Sequence, residues 1–200
     1  MTFPSFFADV PTIVVRDRLA EFLGAADGGL IEYGYPDAVK LAGHSCPTVA
    51  GSYLLSSRVL QALYPDEVPL RGELRVDFRD TQESAVTGVI AAIVGLLTGA
   101  AGIGGFKGLA GRFSRRDLLS FGADVAGEMR FTRQDNGKSL CASLHLAKVP
   151  ADPRLAPLLQ ELLAGKGDAT RAALFAELWQ DRVRRILIEH FRDPDLLSLS

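Results

Sequence analysis

Apolar and polar positions alternate with a period that changes several times along the chain, and each change predicts an element. Residues 15–23 predict a short helix, and residues 30–35 a strand-like piece bounded by Gly28, Gly29 and Pro36. From Thr48 onward Val49, Tyr53, Leu60 and Leu63 fall on one helical face, and Tyr64-Pro65 stops that helix. Pro47 suits a first helical turn, where no amide partner is lost, so Cys46 is predicted at the N-cap. Residues 71–79 (RGELRVDFR) alternate charge with Leu74, Val76 and Phe78, the pattern of a half-buried strand. Asp80 and Glu83 then stand at capping-box spacing, which predicts a helix opening there and running to about Gly99.

A glycine-rich run follows at residues 99–112 (GAAGIGGFKGLAGR). Residues 128–133 and 139–147 flank Asp135-Asn136-Gly137, and Asn-Gly favours the positive φ angles of a hairpin turn. On the second of these strands Leu140, Ala142, Leu144 and Leu146 share one face, with Cys141 and His145 on the other. After Pro150 and Pro153 the period becomes helical, over residues 155–163 and 170–191, separated by Gly165-Lys166-Gly167. Leu174, Leu178, Ile186 and Phe191 recur near helical spacing beside Trp179. The whole pattern predicts an α+β protein. A mixed or antiparallel sheet packed with helices occupies residues 1–150, and a helical C-terminal extension over residues 151–200 packs on that core or on a partner subunit. No internal repeat and no low-complexity tail interrupts the pattern.

Composition narrows the function classes. A chain of 200 residues that is 48% hydrophobic can bury a substantial core without disulfides. The formal charge of −2, from 22 basic and 24 acidic residues, gives no field that would favour nucleic acid or an anionic membrane. The cysteines, Cys46 and Cys141, stand far apart and read as free thiols in a reducing compartment. With no basic N-terminal region of the secretory kind, the expectation is a soluble, cytoplasmic protein. The apolar run at residues 85–101 contains two threonines and falls short of a comfortable span, so a buried helix is expected there and not a membrane helix.

One segment could carry chemistry: Gly43-His44-Ser45-Cys46-Pro47. Imidazole and thiolate are both strong ligands for zinc or another borderline-soft metal. A cysteine at a helix N-terminus faces free amides and the positive end of the dipole, which favours the thiolate. Gly43 gives the backbone freedom to turn both side chains into one cleft. The bland alternative is that Cys46 is a small apolar filler.

The segment GHSCPTVAGSY resembles the signature of the FmdE-like family, named for a component of formylmethanofuran dehydrogenase: a Gly-His-x-Cys-Pro stretch leading into a small-residue helix with a tyrosine. Downstream, VDFRDTQESAVTGVI is similar to the family's strand-to-helix segment, and LTGAAGIGGFKGLAGR resembles its Leu-Thr-Gly, glycine-rich and Phe-Lys elements. The likeness covers roughly residues 39–146. It implies an α+β core with a cleft at that helix N-terminus, often holding a metal such as zinc, and frequent homodimerisation. Carried onto this chain, it makes His44 and Cys46 both metal ligands and candidate catalytic groups, with Glu83 as a further donor. Tyr53, Lys107, Gly104 and Gly105 would then line a bound cofactor. The chain departs from the family at Ala42, where a second histidine is common, at Ser84, nearest the family's second cysteine, and at Leu54, where an arginine often follows the tyrosine. Two donors are fewer than the four of structural zinc. Glu83, Asp80, His145, Cys141, water or a partner subunit would have to complete the set. Zinc leads among cofactors, with haem or another cofactor open.

Three functions follow as expectations. The first is a protein binding a metal or small cofactor at this cleft. The second is an enzyme acting on a small one-carbon or carbonyl substrate through the metal or the Cys46 thiolate. The third is a non-catalytic accessory subunit of a larger oxidoreductase. Lesser candidates weigh less. The glycine run contains neither G-x-x-x-x-G-K-[ST] nor G-x-G-x-x-G, so both nucleotide motifs fail. Cys141 and His145 form a second candidate ligand pair at strand spacing, Arg182, Arg184 and Arg185 read as a solvated helix face, and His190 as a favourable charge near a helix C-terminus. No nucleophile-elbow motif occurs.

Overall fold

A computed structural model describes residues 2–200. Its first sheet corrects the opening expectation. In place of a helix over residues 15–23 there is a strand, Ile13–Asp17 (β1), followed by a short helix, Arg18–Phe22 (α1). The β-branched run Ile13, Val14 and Val15 favours extended backbone. Asp17 then ends the strand by accepting the amides of Leu19 and Ala20 at 3.0 and 3.1 Å, as an N-cap does. The strand Leu30–Tyr33 (β2) pairs antiparallel with β1. Pro36 opens an element instead of merely closing one: it sits in the first turn of the helix Tyr35–Ala42 (α2), which ends on Gly43 at φ 75°.

The helix Pro47–Leu63 (α3) is the centre of the core, with Val49, Tyr53, Leu55, Val59 and Leu63 fully buried. Its serines do not break it. The hydroxyls of Ser52 and Ser56 donate to the carbonyls of Thr48 and Ser52 at 2.7 and 2.8 Å, so they carry no unmet hydrogen bond into the interior. At its C-terminal end the Arg133 guanidinium donates to Leu63 O at 2.9 Å and lies 3.8 Å over the Tyr64 ring.

The strand Leu70–Arg71 (β3) runs parallel to β1, and after Gly72 the strand Leu74–Phe78 (β4) buries Leu74, Val76 and Phe78 as its alternation predicts. The predicted capping box does not form. Asp80 pairs with Arg79, Thr81 and Ser84 join hydroxyls at 2.9 Å, and the helix starts only at Thr87 (α4, Thr87–Thr98) without a side-chain cap. Local polar partners took the capping residues first. No helix among the described residues is long and apolar enough to cross a membrane.

The glycine-rich stretch is a loop that returns the chain to Leu119–Ser120 (β5), parallel to β4. Met129–Arg133 (β6) and Ser139–Leu144 (β7) form the expected hairpin, with Phe131 opposite Leu140 and Arg130 opposite Cys141. The helices Leu155–Leu163 (α5) and Ala169–Arg184 (α6) pack through a small core of their own, Leu155, Leu158 and Leu178. A wider helical turn, Arg185–Glu189, continues α6. The last strand, Leu197–Leu199 (β8), pairs with β7, so the C-terminal region supplies the fifth strand of the larger sheet, β5-β4-β6-β7-β8. The smaller sheet runs β2-β1-β3, and both are mixed. The protein is α+β.

A buried ion cluster ties these layers together. The Asp17 carboxylate accepts from Arg71 and Arg115, each at 2.7 Å. Arg71 also donates to Leu96 O at 3.0 Å, satisfying the end of α4. Burial alone would push the Asp17 carboxyl up. The Arg71 hydrogen bond, the Ala20 amide and the Arg115 charge together hold it below the usual carboxylate range. The Arg115 side chain passes across Gly72, where φ is +84° and an added Cβ would fall 0.9 Å from its Nη1.

Candidate functional site

Three residues, His44-Ser45-Cys46, bridge the end of α2 and the start of α3. Gly43 in the left-handed region ends one helix, Pro47 starts the next, and Cys46 between them is extended, at φ −149° and ψ 168°. Its Sγ accepts the Val49 amide at 3.5 Å, so the N-cap expectation holds to the residue. Cys46 is half-buried and packs against the main core. His44 is exposed, and its Nδ1 lies 3.0 Å from Ala42 O. A carbonyl only accepts, so Nδ1 is the donor in this bond, and in the neutral form of the ring Nε2 would be the nitrogen left to coordinate.

The intervening residue, which no motif had marked, is the best-connected of the three. Ser45 Oγ donates to Gln180 Oε1 at 3.0 Å and is 2.9 Å from the Tyr35 hydroxyl. Its carbonyl accepts from Trp179 Nε1 at 3.0 Å and Gln180 Nε2 at 3.3 Å. Tyr35 is fully buried, edge-on to Phe7 and Tyr53. Burial raises its phenol well above the ordinary value and Cys46 adds to that rise, outweighing the Ser45 hydrogen bond, so Tyr35 stays a neutral donor to Ser45. The motif is thereby latched to α6.

Beside this latch lies an apolar cavity of about 340 Å³. Pro47 forms one wall, Leu155, Ala156 and Leu159 of α5 another, and Phe175 and Trp179 of α6 a third, with Asp152 and Arg182 also lining it. The size lies near the lower end of small-molecule pockets, which span roughly 300–1,000 Å³. Arg182 is half-buried, and so is not part of a solvated face. Its Nε donates to Val149 O at 2.7 Å and its Nη2 to Leu146 O at 3.0 Å. Arg184 and Arg185 are half-buried as well and pair with Asp181 at 2.9 Å each. Arg185 also donates to Pro150 O at 2.9 Å, so the run is not the solvated face expected from the sequence.

The other residues named from the sequence are placed apart. Tyr53 is fully buried, and its hydroxyl lies 2.9 Å from both Pro11 O and Tyr33 O, so it serves the core and offers a ligand no surface. Glu83 is exposed in the turns before α4, and Lys107 is exposed on the glycine-rich loop. Gly104 lines a different cavity, of about 360 Å³, with Gln82, Ala91 and Phe121, while Gly105 packs close against Ala101 and Arg115. Cys141 is bound through its backbone to Ser200, and His145 Nε2 is 3.2 Å from Ser198 Oγ. His190 Nδ1 pairs with Asp193 at 2.7 Å. Among the described residues no group of three or more His, Cys, Asp and Glu side chains is arranged to hold a metal ion. His44 and Cys46 therefore do not by themselves fit a resident zinc, which takes at least three protein ligands in catalytic sites.

Comparison with known protein families finds no family that matches the chain. Comparison with curated proteins likewise finds no match.

Proposed function

We propose that this chain is a binding protein for a small apolar molecule, held in the cavity at the N-terminus of α3. The observation that carries the reading is the cavity itself, opening on Pro47 next to the Cys46 cap, with aromatic walls from α6. The resemblance of GHSCPTVAGSY to the FmdE-like family, whose cleft lies at the corresponding helix N-terminus, supports the same location. The expected test uses 1-octanol as an apolar probe and the emission of Trp179, the one tryptophan of the chain. Octanol should change that emission saturably, and Ala156→Phe, which fills the cavity, should abolish the change while the protein still melts cooperatively. Emission that responds equally in both proteins would contradict the pocket.

A second reading, a metal-assisted or thiol-dependent enzyme on a small carbonyl substrate, draws on one specific observation. Ala42 O holds the His44 ring with Nε2 free to coordinate, as backbone carbonyls orient metal-binding histidines. In that reading His44 and Cys46 supply two ligands, and the remaining positions are filled by the substrate or by a second copy of the chain in a homodimer. Metal content of the purified protein decides it. Stoichiometric zinc that falls in both His44→Ala and Cys46→Ala supports the reading, and metal content unchanged by either variant contradicts it.

A further inference from the structure

We propose that the ligand of the Pro47 cavity is an amphipathic anion, an apolar body carrying one carboxylate, with the carboxylate paired to Arg182. The inference rests on the pocket reading above and adds the charge of the occupant. Its ground is the uneven pairing of the charged groups around the cavity. Asp152 is already matched by a bidentate pair, accepting Arg154 Nε and Nη2 at 2.9 Å each. Arg185, beyond it, pairs with Asp181 at 2.9 Å. Arg182 alone has only carbonyl partners, Val149 O and Leu146 O, and among the described residues no carboxylate pairs with it. These two bonds fix Nε and Nη2 in the wall and leave Nη1 without a protein acceptor.

The energetics agree in sign. Burial pushes the Arg182 pKa down, the neighbouring Arg185 charge pushes it the same way, and no acidic group opposes them. A guanidinium stays protonated regardless, so the site carries an unneutralised positive charge against apolar walls. A carboxylate placed there would make a charge-assisted hydrogen bond, while Phe175, Trp179, Leu155 and Leu159 take up its hydrocarbon. A neutral molecule of the same shape gains only the second contribution. A cationic one meets Arg182 directly.

The test compares octanoate with 1-octanol on the full chain by calorimetry. Octanoate should bind at least about tenfold more tightly, the scale of one charge-assisted hydrogen bond. Arg182→Gln should remove that preference and leave octanol binding in place, while Arg182→Lys, which keeps the charge, should retain part of it. Because Arg182→Gln also gives up two hydrogen bonds to the backbone, its thermal melt is recorded alongside. If it does not fold, the wild-type preference and the Lys variant decide. Equal affinity of wild type for octanoate and octanol overturns the anion inference and leaves the pocket reading standing. Binding of neither probe overturns both. A dimer, seen by sedimentation, that must dissociate before octanoate binds would mean a second copy covers the cavity, and would overturn the anion inference as well.

Discussion

Asp17 shows how much of this fold hangs on single polar residues. Its carboxylate caps α1 and neutralises two arginines that fasten β3, α4 and the glycine-rich loop. Asp17→Asn keeps the shape but leaves Arg71 and Arg115 charged without a counterion, so a loss of about 3–5 kcal/mol in chemical denaturation is expected. Tyr53 makes a milder case. Tyr53→Phe gives up one core hydrogen bond, an expected loss of about 1 kcal/mol, and should leave probe binding unaltered. Binding that falls with Tyr53→Phe, at unchanged fold, would restore the ligand-lining role expected from the sequence. The same scale explains what could be read beforehand. Cys46 was legible as a cap because Pro47 follows it directly. Ser45 was not, because its partners Trp179 and Gln180 lie more than a hundred residues away in the chain, and Arg182 looked like surface because helical spacing alone cannot show which carbonyls a helix will meet.

At the scale of elements, periodicity succeeded where one face is buried and failed where polar residues have rival local partners. The alternation of Leu74, Val76 and Phe78, and of Leu140, Ala142 and Leu144, gave β4 and the body of β7, because a two-residue period commits every side chain to a face. The strand expected over residues 139–147 nevertheless ends at Leu144, and Leu146–Lys148 is a tight helical turn. Residues 15–23 misled, since the β-branched Ile13–Val15 run ends inside that window and Asp17 is both strand end and helix cap. Asp80 and Glu83 had the spacing of a capping box, yet Arg79 and the Thr81–Ser84 pair determine that turn. β8 has only three residues, too few for any period, and its place follows from β7 offering an edge. The junction of β3 and β4 yields a prediction. Gly72→Ala places a methyl group in the path of the Arg115 guanidinium at a left-handed φ, and a loss on the order of 1–3 kcal/mol or more is expected from thermal melting. An unchanged melt would mean that Arg115 does not hold the position described.

At the scale of the molecule, the carboxylates give stability a defined pH dependence. Asp17 and Asp77 are both held below the usual carboxylate range despite burial, Asp17 chiefly by Arg71 and Asp77 by Ser120, Arg75 and Arg130. A depressed folded pKa favours the folded state above the unfolded value, so their contribution is complete above about pH 5. It is lost as pH falls through the folded values, and denaturation midpoints should therefore hold steady from about pH 7 to 5 and drop below about pH 4. Midpoints that rise on acidification would contradict the ion cluster. The C-terminal region is integral at this scale: α6 latches the Ser45 carbonyl, and β8 completes the larger sheet. The α+β class and the helical hairpin were legible from the change in period after Pro150, whereas the cavity arises only when α5 and α6 are laid against Pro47.

The most direct test of the account is the indole N–H of Trp179, which lines the cavity and donates to Ser45 O. Nitrogen-15-labelled protein should give a single indole resonance that moves saturably as octanoate is added and stays fixed in Ala156→Phe. A resonance that does not move in the wild-type protein through the whole titration would contradict a ligand site at the N-terminus of α3.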